Sequence, residues 1–149
     1  MVVLPQAIQL TEQYFNAAWP ALPIHGDCHH GNVLWNVNGP HLLDFDDMVI
    51  APPVQDIWML FHGSAAEQQE QRQAFFDGYS IFRAFDERSL CLAEPLRTLR
   101  MIHHVAWLAA RHEEPAFQRA FPYFTESRYW EAFTQSMREQ ISALQEDPS

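Results

Sequence analysis

The apolar positions of this chain follow a helical spacing, then a short alternating one, then a helical one again. Ala7, Ile8, Leu10, Tyr14, Phe15 and Ala18 predict a helix from Gln6 to Trp19, closed by Pro20 and Pro23. Ile24 to Asn32 carries Gly26 and Gly31 with polar residues between them and reads as a loop. Val33-Leu34-Trp35 and His41-Leu42-Leu43-Asp44 read as two short strands, with Asn38-Gly39 as the turn signal between them. Such a hairpin sets Asn32 just before one strand and Asp44 at the end of the other, so both side chains reach the same end of the hairpin.

From residue 54 the pattern is helical. Val54 to His62 predicts a short apolar helix stopped by Gly63, and Ala65 to Phe85 an amphipathic one with Phe75, Phe76, Tyr79 and Phe82 on its buried side. Pro95 sits near the start of a long helix reaching about Glu113, and Arg128 to Gln145 predicts the last helix. There is no internal repeat, low-complexity segment or linker. The expected architecture is mainly α with one small β-hairpin. We read residues 1–149 as one domain, with a loop at 24–32, an acidic segment at 42–47 and a helical part at 54–147.

Composition narrows the class. Hydrophobic residues make up 48% and aromatic residues 13%, enough for a packed core and against disorder. Two cysteines, Cys28 and Cys91, without a secretory leader point to a reducing, cytoplasmic setting. No window approaches the roughly 20 apolar residues of a membrane span, so no membrane partner is expected. The net charge of −10 argues against nucleic acid, whose sites are built from Lys and Arg, and requires that any ATP enter with its metal. All 9 basic residues are Arg; there is no Lys.

The candidate chemistry lies between residues 25 and 56. Phosphoryl transfer needs one carboxylate to orient the attacking hydroxyl, and an amide oxygen with a second carboxylate to hold the metal on the nucleotide phosphates. Asp27, Asn32 and Asp44 supply these groups in that order. Mg²⁺ favours such oxygen ligands. If residues 43–46 are extended, Asp44 and Asp46 share one side while Leu43 and Phe45 point to the core, which makes Asp46 a candidate for a second ion or a metal-bound water. The structural alternatives are a turn-capping Asp27 and a solvated acidic turn at Asp46 and Asp47.

The histidines admit a rival, a transition-metal hydrolase, but His25 and His29 lie in a Gly-containing loop where i,i+4 spacing gives no shared face. His25 reads better as a hydrogen-bonded residue beneath the loop, and His29 as a contact to a phosphate or the metal shell. The nearby carboxylate disfavours a Cys28 thiolate nucleophile. Asp56, at the start of an apolar helix, suits either the helix terminus or the loop, where its carboxylate would accept backbone N–H groups near His25 and Gly26. Arg97, Arg100, His104 and Arg111 form a stripe expected opposite Leu92, Leu99, Ile102 and Ala106. Arg97 and Arg100 are candidate contacts to an anionic substrate, against the simpler reading of a solvated face.

His25-Gly26-Asp27 through Asn32, followed by Leu43-Asp44-Phe45-Asp46, resembles the catalytic loop and metal-binding segment of the aminoglycoside phosphotransferase and choline kinase-like family. Pro53 to Leu60, and Glu94-Pro95-Leu96-Arg97 leading into Ala106-Trp107-Leu108, are similar to its bacterial stress-response serine/threonine kinase branch. The resemblance implies the C-terminal lobe of a kinase-like fold, with Mg²⁺ and ATP as cofactors and a protein or small-molecule hydroxyl as acceptor. Asp27 would be the active-site residue, and Asn32 and Asp44 the metal ligands. The family's N-terminal lobe, whose phosphate-covering loop and Lys grip ATP, has no counterpart in these residues. Two alternatives remain open: a non-catalytic interaction domain that keeps the fold, and a small-molecule kinase of the aminoglycoside or choline type.

Overall fold

The computed structural model describes residues 3–15 and 18–146. In chain order the elements are α1 (Val3–Tyr14), β1 (Leu22–Ile24), β2 (Val33–Asn36), β3 (Gly39–Leu42), β4 (Val49–Ala51), α2 (Val54–Ile57), α3 (Ala65–Ser80), α4 (Ala93–Arg111), α5 (Pro115–Ala120) and α6 (Ser127–Glu146). The chain forms two compact units, one of Met1–Ala17 with Glu94–Ser149 and one of Ala18–Ala93. No helix among the described residues is long and apolar enough to cross a membrane.

The first unit is helical. Ala7 and Thr11 of α1 are buried one turn apart, as are Met137, Ile141 and Leu144 along α6. The Tyr14 hydroxyl donates to the Leu144 carbonyl at 2.9 Å and ties the end of α1 to that of α6. Thr98 Oγ1 lies 2.9 Å from both the Glu94 carbonyl and Gln140 Oε1, which satisfies a fully buried hydroxyl between α4 and α6. Val105, Leu108, Phe117 and Phe124 form the core, with Phe121, Tyr129 and Phe133 packed against it.

The second unit carries two antiparallel strand pairs. β2 and β3 form the hairpin, Val33 opposite Leu42 and Asn36 opposite Gly39. β1 pairs with β4, Leu22 opposite Ala51 and Ile24 opposite Val49. The segments joining the pairs, residues 25–32 and 43–48, are therefore held at both ends by strand ladders. The hairpin turn is Val37-Asn38, one residue earlier than expected. Neither has positive φ, so the hand comes from Gly39 at φ 108, while Asn36 Oδ1 accepts the Asn38 N–H at 2.7 Å.

The mainly helical expectation holds, with corrections. α1 ends at Tyr14, and Ala18 and Trp19 are not helical; Asn16 and Ala17, like Asp147 at the end of the expected helical part, lie outside the described residues. Ile24 belongs to β1, a strand too short to show alternation. α2 has one turn and continues as a 3₁₀ turn, Trp58–Leu60, in place of a helix to His62. α3, opened by a reciprocal Ser64–Glu67 capping box, stops at Ser80. Phe82 thus falls outside the helix and is 90% exposed, whereas Phe75, Phe76 and Tyr79 pack with Phe61 and Phe85. On α4 the buried face runs through Pro95, Thr98, Val105 and Leu108, which leaves Leu99 and Ala106 exposed. The buried Thr98 hydroxyl, satisfied by Gln140, turns the helix away from the purely apolar register.

Leu108 is fully buried in this core. Leu108→Ala should lower unfolding stability by about 2–5 kcal/mol in denaturant titrations, with an unchanged m-value.

Candidate active site

The site is built on the loop between β1 and β2. At its start the chain turns through Gly26, at φ 87, and packs so close to the neighbouring segment that a Cβ there would collide with the Asp47 carbonyl. Asp56 lies beneath. Its Oδ2 accepts the His25 N–H at 2.7 Å and its Oδ1 the Gly26 N–H at 2.8 Å. Gln55 Nε2 donates to the Gly26 carbonyl at 3.4 Å. Two consecutive residues of α2 thus hold both polar groups of one glycine.

His25 is 5% exposed and uses both ring nitrogens within this frame. Nε2 is 2.7 Å from the Leu43 carbonyl, and Nδ1 accepts the Asp27 N–H at 3.3 Å. A carbonyl can only accept, so the ring proton is on Nε2. The ring centroid lies 4.8 Å from that of Phe45. His25 therefore joins the Asp27 loop to the segment carrying Asp44.

Asn32 closes the other end of the loop. Its Nδ2 donates to the Asp27 carbonyl at 3.0 Å and lies 3.5 Å from Asp27 Oδ2. That contact fixes the amide orientation and turns its oxygen away from Asp27. The Asn32 carbonyl accepts the Leu43 N–H at 2.9 Å, which places Asp44 one residue beyond this bond. Asp44 has φ 61, the only positive value at a non-glycine among the described residues. Such a conformation costs about 1–3 kcal/mol and is found where surroundings impose it. It also breaks the extended run expected for 43–46: Leu43 and Phe45 are 46% and 49% exposed, and Asp46 and Asp47 form an exposed turn.

The structure brings His25, Asp27, His29, Asn32 and Asp56 into one network, with Asp44 beside it. Arg97 and Arg100 are on α4, in the other unit; Arg97 pairs with Glu94 at 3.0 Å. Gln55 and the tight Gly26–Asp47 approach were not foreseen from sequence, although the glycine at 26 was the available signal. Cys28 is buried, and burial first, then the Asp56 and Asp27 carboxylates, push its thiol up to about 11, which suits packing and not nucleophilic attack.

The donor set fits a hard cation: the amide oxygen of Asn32 and the exposed carboxylate of Asp44 at the same end of the hairpin, with Asp46 close in sequence. It does not fit a transition-metal hydrolase. His25 commits its ring nitrogens to the Leu43 carbonyl and the Asp27 N–H, His29 Nδ1 accepts the Gly31 N–H, and His30 Nε2 meets the Leu60 carbonyl at 2.8 Å. No three His, Cys, Asp or Glu side chains among the described residues are grouped to hold a metal ion.

On this kinase-like fold a loop aspartate is held by an asparagine five residues on, beside a second aspartate at a hairpin base. The family model described as "Phosphotransferase enzyme family" matches residues 3–92, and the chain belongs to this family. It is 40% identical over 143 residues to "Stress response kinase A" of Escherichia coli (strain K12), covering 96% of this chain and 43% of that protein. It is 42% identical over 127 residues to "Serine/threonine protein kinase RdoA" of Salmonella typhimurium, covering 85% of this chain and 38% of that protein. The chain thus spans about two-fifths of the length of these curated relatives.

Two outcomes follow from this geometry. Asp56→Ala leaves two backbone donors without their carboxylate and should cost about 3 kcal/mol, with faster amide exchange at His25 and Gly26. The Cys28 thiol holds its proton in the folded chain above its ordinary pKa of 9.0, so the unfolded state releases that proton first. Stability should therefore fall as pH rises from 9.0 towards about 11, and Cys28→Ala should flatten that slope in pH-dependent denaturation.

Proposed function

We propose that this chain carries the catalytic and metal-binding half of an ATP- and Mg²⁺-dependent phosphotransferase, acting on serine or threonine hydroxyls of a protein in a bacterial stress response. The observation that carries this reading is the Asn32 clamp. One residue grips Asp27 through its amide nitrogen, receives the Leu43 N–H through its backbone and keeps its amide oxygen out of the bond to Asp27. Asp27 would orient the acceptor hydroxyl and take its proton. Asn32 and Asp44 would hold Mg²⁺, which supplies charge neutralisation for the phosphates when bound. The name "Serine/threonine protein kinase" on a relative favours a protein hydroxyl over a small alcohol.

These 149 residues alone should transfer little phosphate. The family's phosphate-gripping ammonium has no source in a sequence without Lys, and Gly26 and Gly31 form no Gly-x-Gly-x-x-Gly cradle. Phosphoryl transfer depends on positioning and charge neutralisation, and here only Arg side chains and the metal provide cations. Nucleotide affinity should be millimolar at best, about −4 kcal/mol.

The test is Mg²⁺ titration followed by amide and side-chain NMR, then Mg²⁺-ATP with a Ser/Thr substrate followed for ADP. Mg²⁺ should shift the Asn32 and Asp44 signals, Asp44→Ala should remove the effect, and ADP should stay at background. Mg²⁺-dependent nucleotide binding separates this reading from a non-catalytic interaction domain; no response at Asn32 and Asp44 would favour the latter. In a longer form that turns over, Asp27→Asn should keep nucleotide binding and lose about 10²–10⁴-fold in rate.

A further inference from the structure

We infer that His29 is a positioning residue for Asp27, and that residue 31 is glycine because the His29 ring lies against it. The inference rests on the phosphotransfer reading only for what Asp27 does. His29 Nδ1 accepts the Gly31 N–H at 2.9 Å, so the ring carries its proton on Nε2. Nε2 in turn lies 3.3 Å from Asp27 Oδ2. Asn32 Nδ2 lies 3.5 Å from the same oxygen, a long contact that the His29 ring supplements from a second direction. His29 supplies the second point of contact, and its own ring is oriented by a backbone group. A ring whose two nitrogens serve the loop is aimed at the base, not at a phosphate.

Gly31 gives an independent line of evidence. Positive φ occurs at Gly26, Gly39 and Gly63 but not at Gly31, so backbone conformation does not demand glycine there. Space does. A Cβ at position 31 would lie 2.7 Å from His29 Cε1 and 2.9 Å from Nδ1, closer than real Cβ contacts come. Relief requires the ring to move, and the ring is what touches Asp27. Gly31→Ala should therefore disturb Asp27 without altering Asp27, Asn32 or His29 itself.

The test uses the ¹⁵N,¹³C-labelled chain and needs no turnover. Long-range ¹H–¹⁵N spectra should show His29 with a bare Nδ1 and a protonated Nε2. Three-bond couplings should show Asp27 in a single χ1 rotamer. His29→Leu and Gly31→Ala should each shift those couplings to the rotamer average, with the thermal midpoint unchanged within about 3 °C for His29→Leu. His29→Gln, which places an amide nitrogen near the Nε2 position, should restore the single rotamer; His29→Asn, whose nitrogen reaches only the Nδ1 position, should not. An Nδ1-protonated ring, or an Asp27 rotamer unmoved in His29→Leu, overturns the inference; if Gly31→Ala does not fold, the His29 series decides. The phosphotransfer reading fails by a different result, an Asp27→Asn variant that keeps full turnover, and that result leaves the couplings untouched.

Discussion

The Asp56 carboxylate on the His25 and Gly26 amides is the interaction on which the site depends. A loop that begins with a positive-φ glycine has little conformational preference of its own, and ordering it costs on the order of 1–2 kcal/mol per residue. One carboxylate accepting two charge-assisted bonds at 2.7 and 2.8 Å offsets part of that cost at the point where the chain leaves β1. Everything downstream inherits its position from there. His25 is set over the Leu43 carbonyl, Asp27 over His25 Nδ1, and Asn32 over the Asp27 carbonyl. α2 can be a single turn because its task is local: present Gln55 and Asp56 upward and bury Val54 and Ile57 below.

The same network explains why the hairpin stands where it does. Leu34 is 54% exposed, Trp35 71% and Val37 fully exposed, so β2 and β3 gain little from apolar burial. A two-stranded hairpin of this kind is marginal on its own. Its root is fixed instead by the Leu43 N–H on the Asn32 carbonyl and by the His25 ring on the Leu43 carbonyl. The site thus holds the hairpin as much as the hairpin holds the site. The left-handed Asp44, whose conformation an unconstrained chain would relax, sits at that shared root.

Much of this was legible in the sequence, and the parts that were not share a cause. Helices with strong periodicity, such as α4 and α6, were placed within about two residues of their ends. The order Asp27, Asn32, Asp44 marked residues that the fold does bring to one end of the hairpin, because the resemblance rests on those residue types at that spacing. β1 and β4 were missed because three residues show no period, and their pairing joins segments more than twenty residues apart. Phe82 and Leu99 were misplaced because a regular pattern was extended past the point where a helix end or a buried hydroxyl changed the register. The fate of Asp44 was illegible for a further reason: alternation assumes extended backbone, and only the constraints at the hairpin root impose a left-handed residue there.

The two glycines of the loop between β1 and β2 show what a motif letter can mean physically. Gly26 is demanded twice, by its φ of 87 and by the Asp47 backbone against which any side chain would collide. Gly31 is demanded only by the His29 ring. The first lets two backbone segments touch, and so brings the acidic turn at 46–47 against the loop that holds Asp27. The second leaves room for the His29 ring, which accepts the Gly31 N–H and comes within 3.3 Å of the same aspartate. Substitution at the first position must move backbone, which the β1–β4 ladder and Asp56 resist together. Substitution at the second need move only a side chain. Identical residues five positions apart thus carry unequal constraints, and the loop owes its shape to one and the aim of its carboxylate to the other.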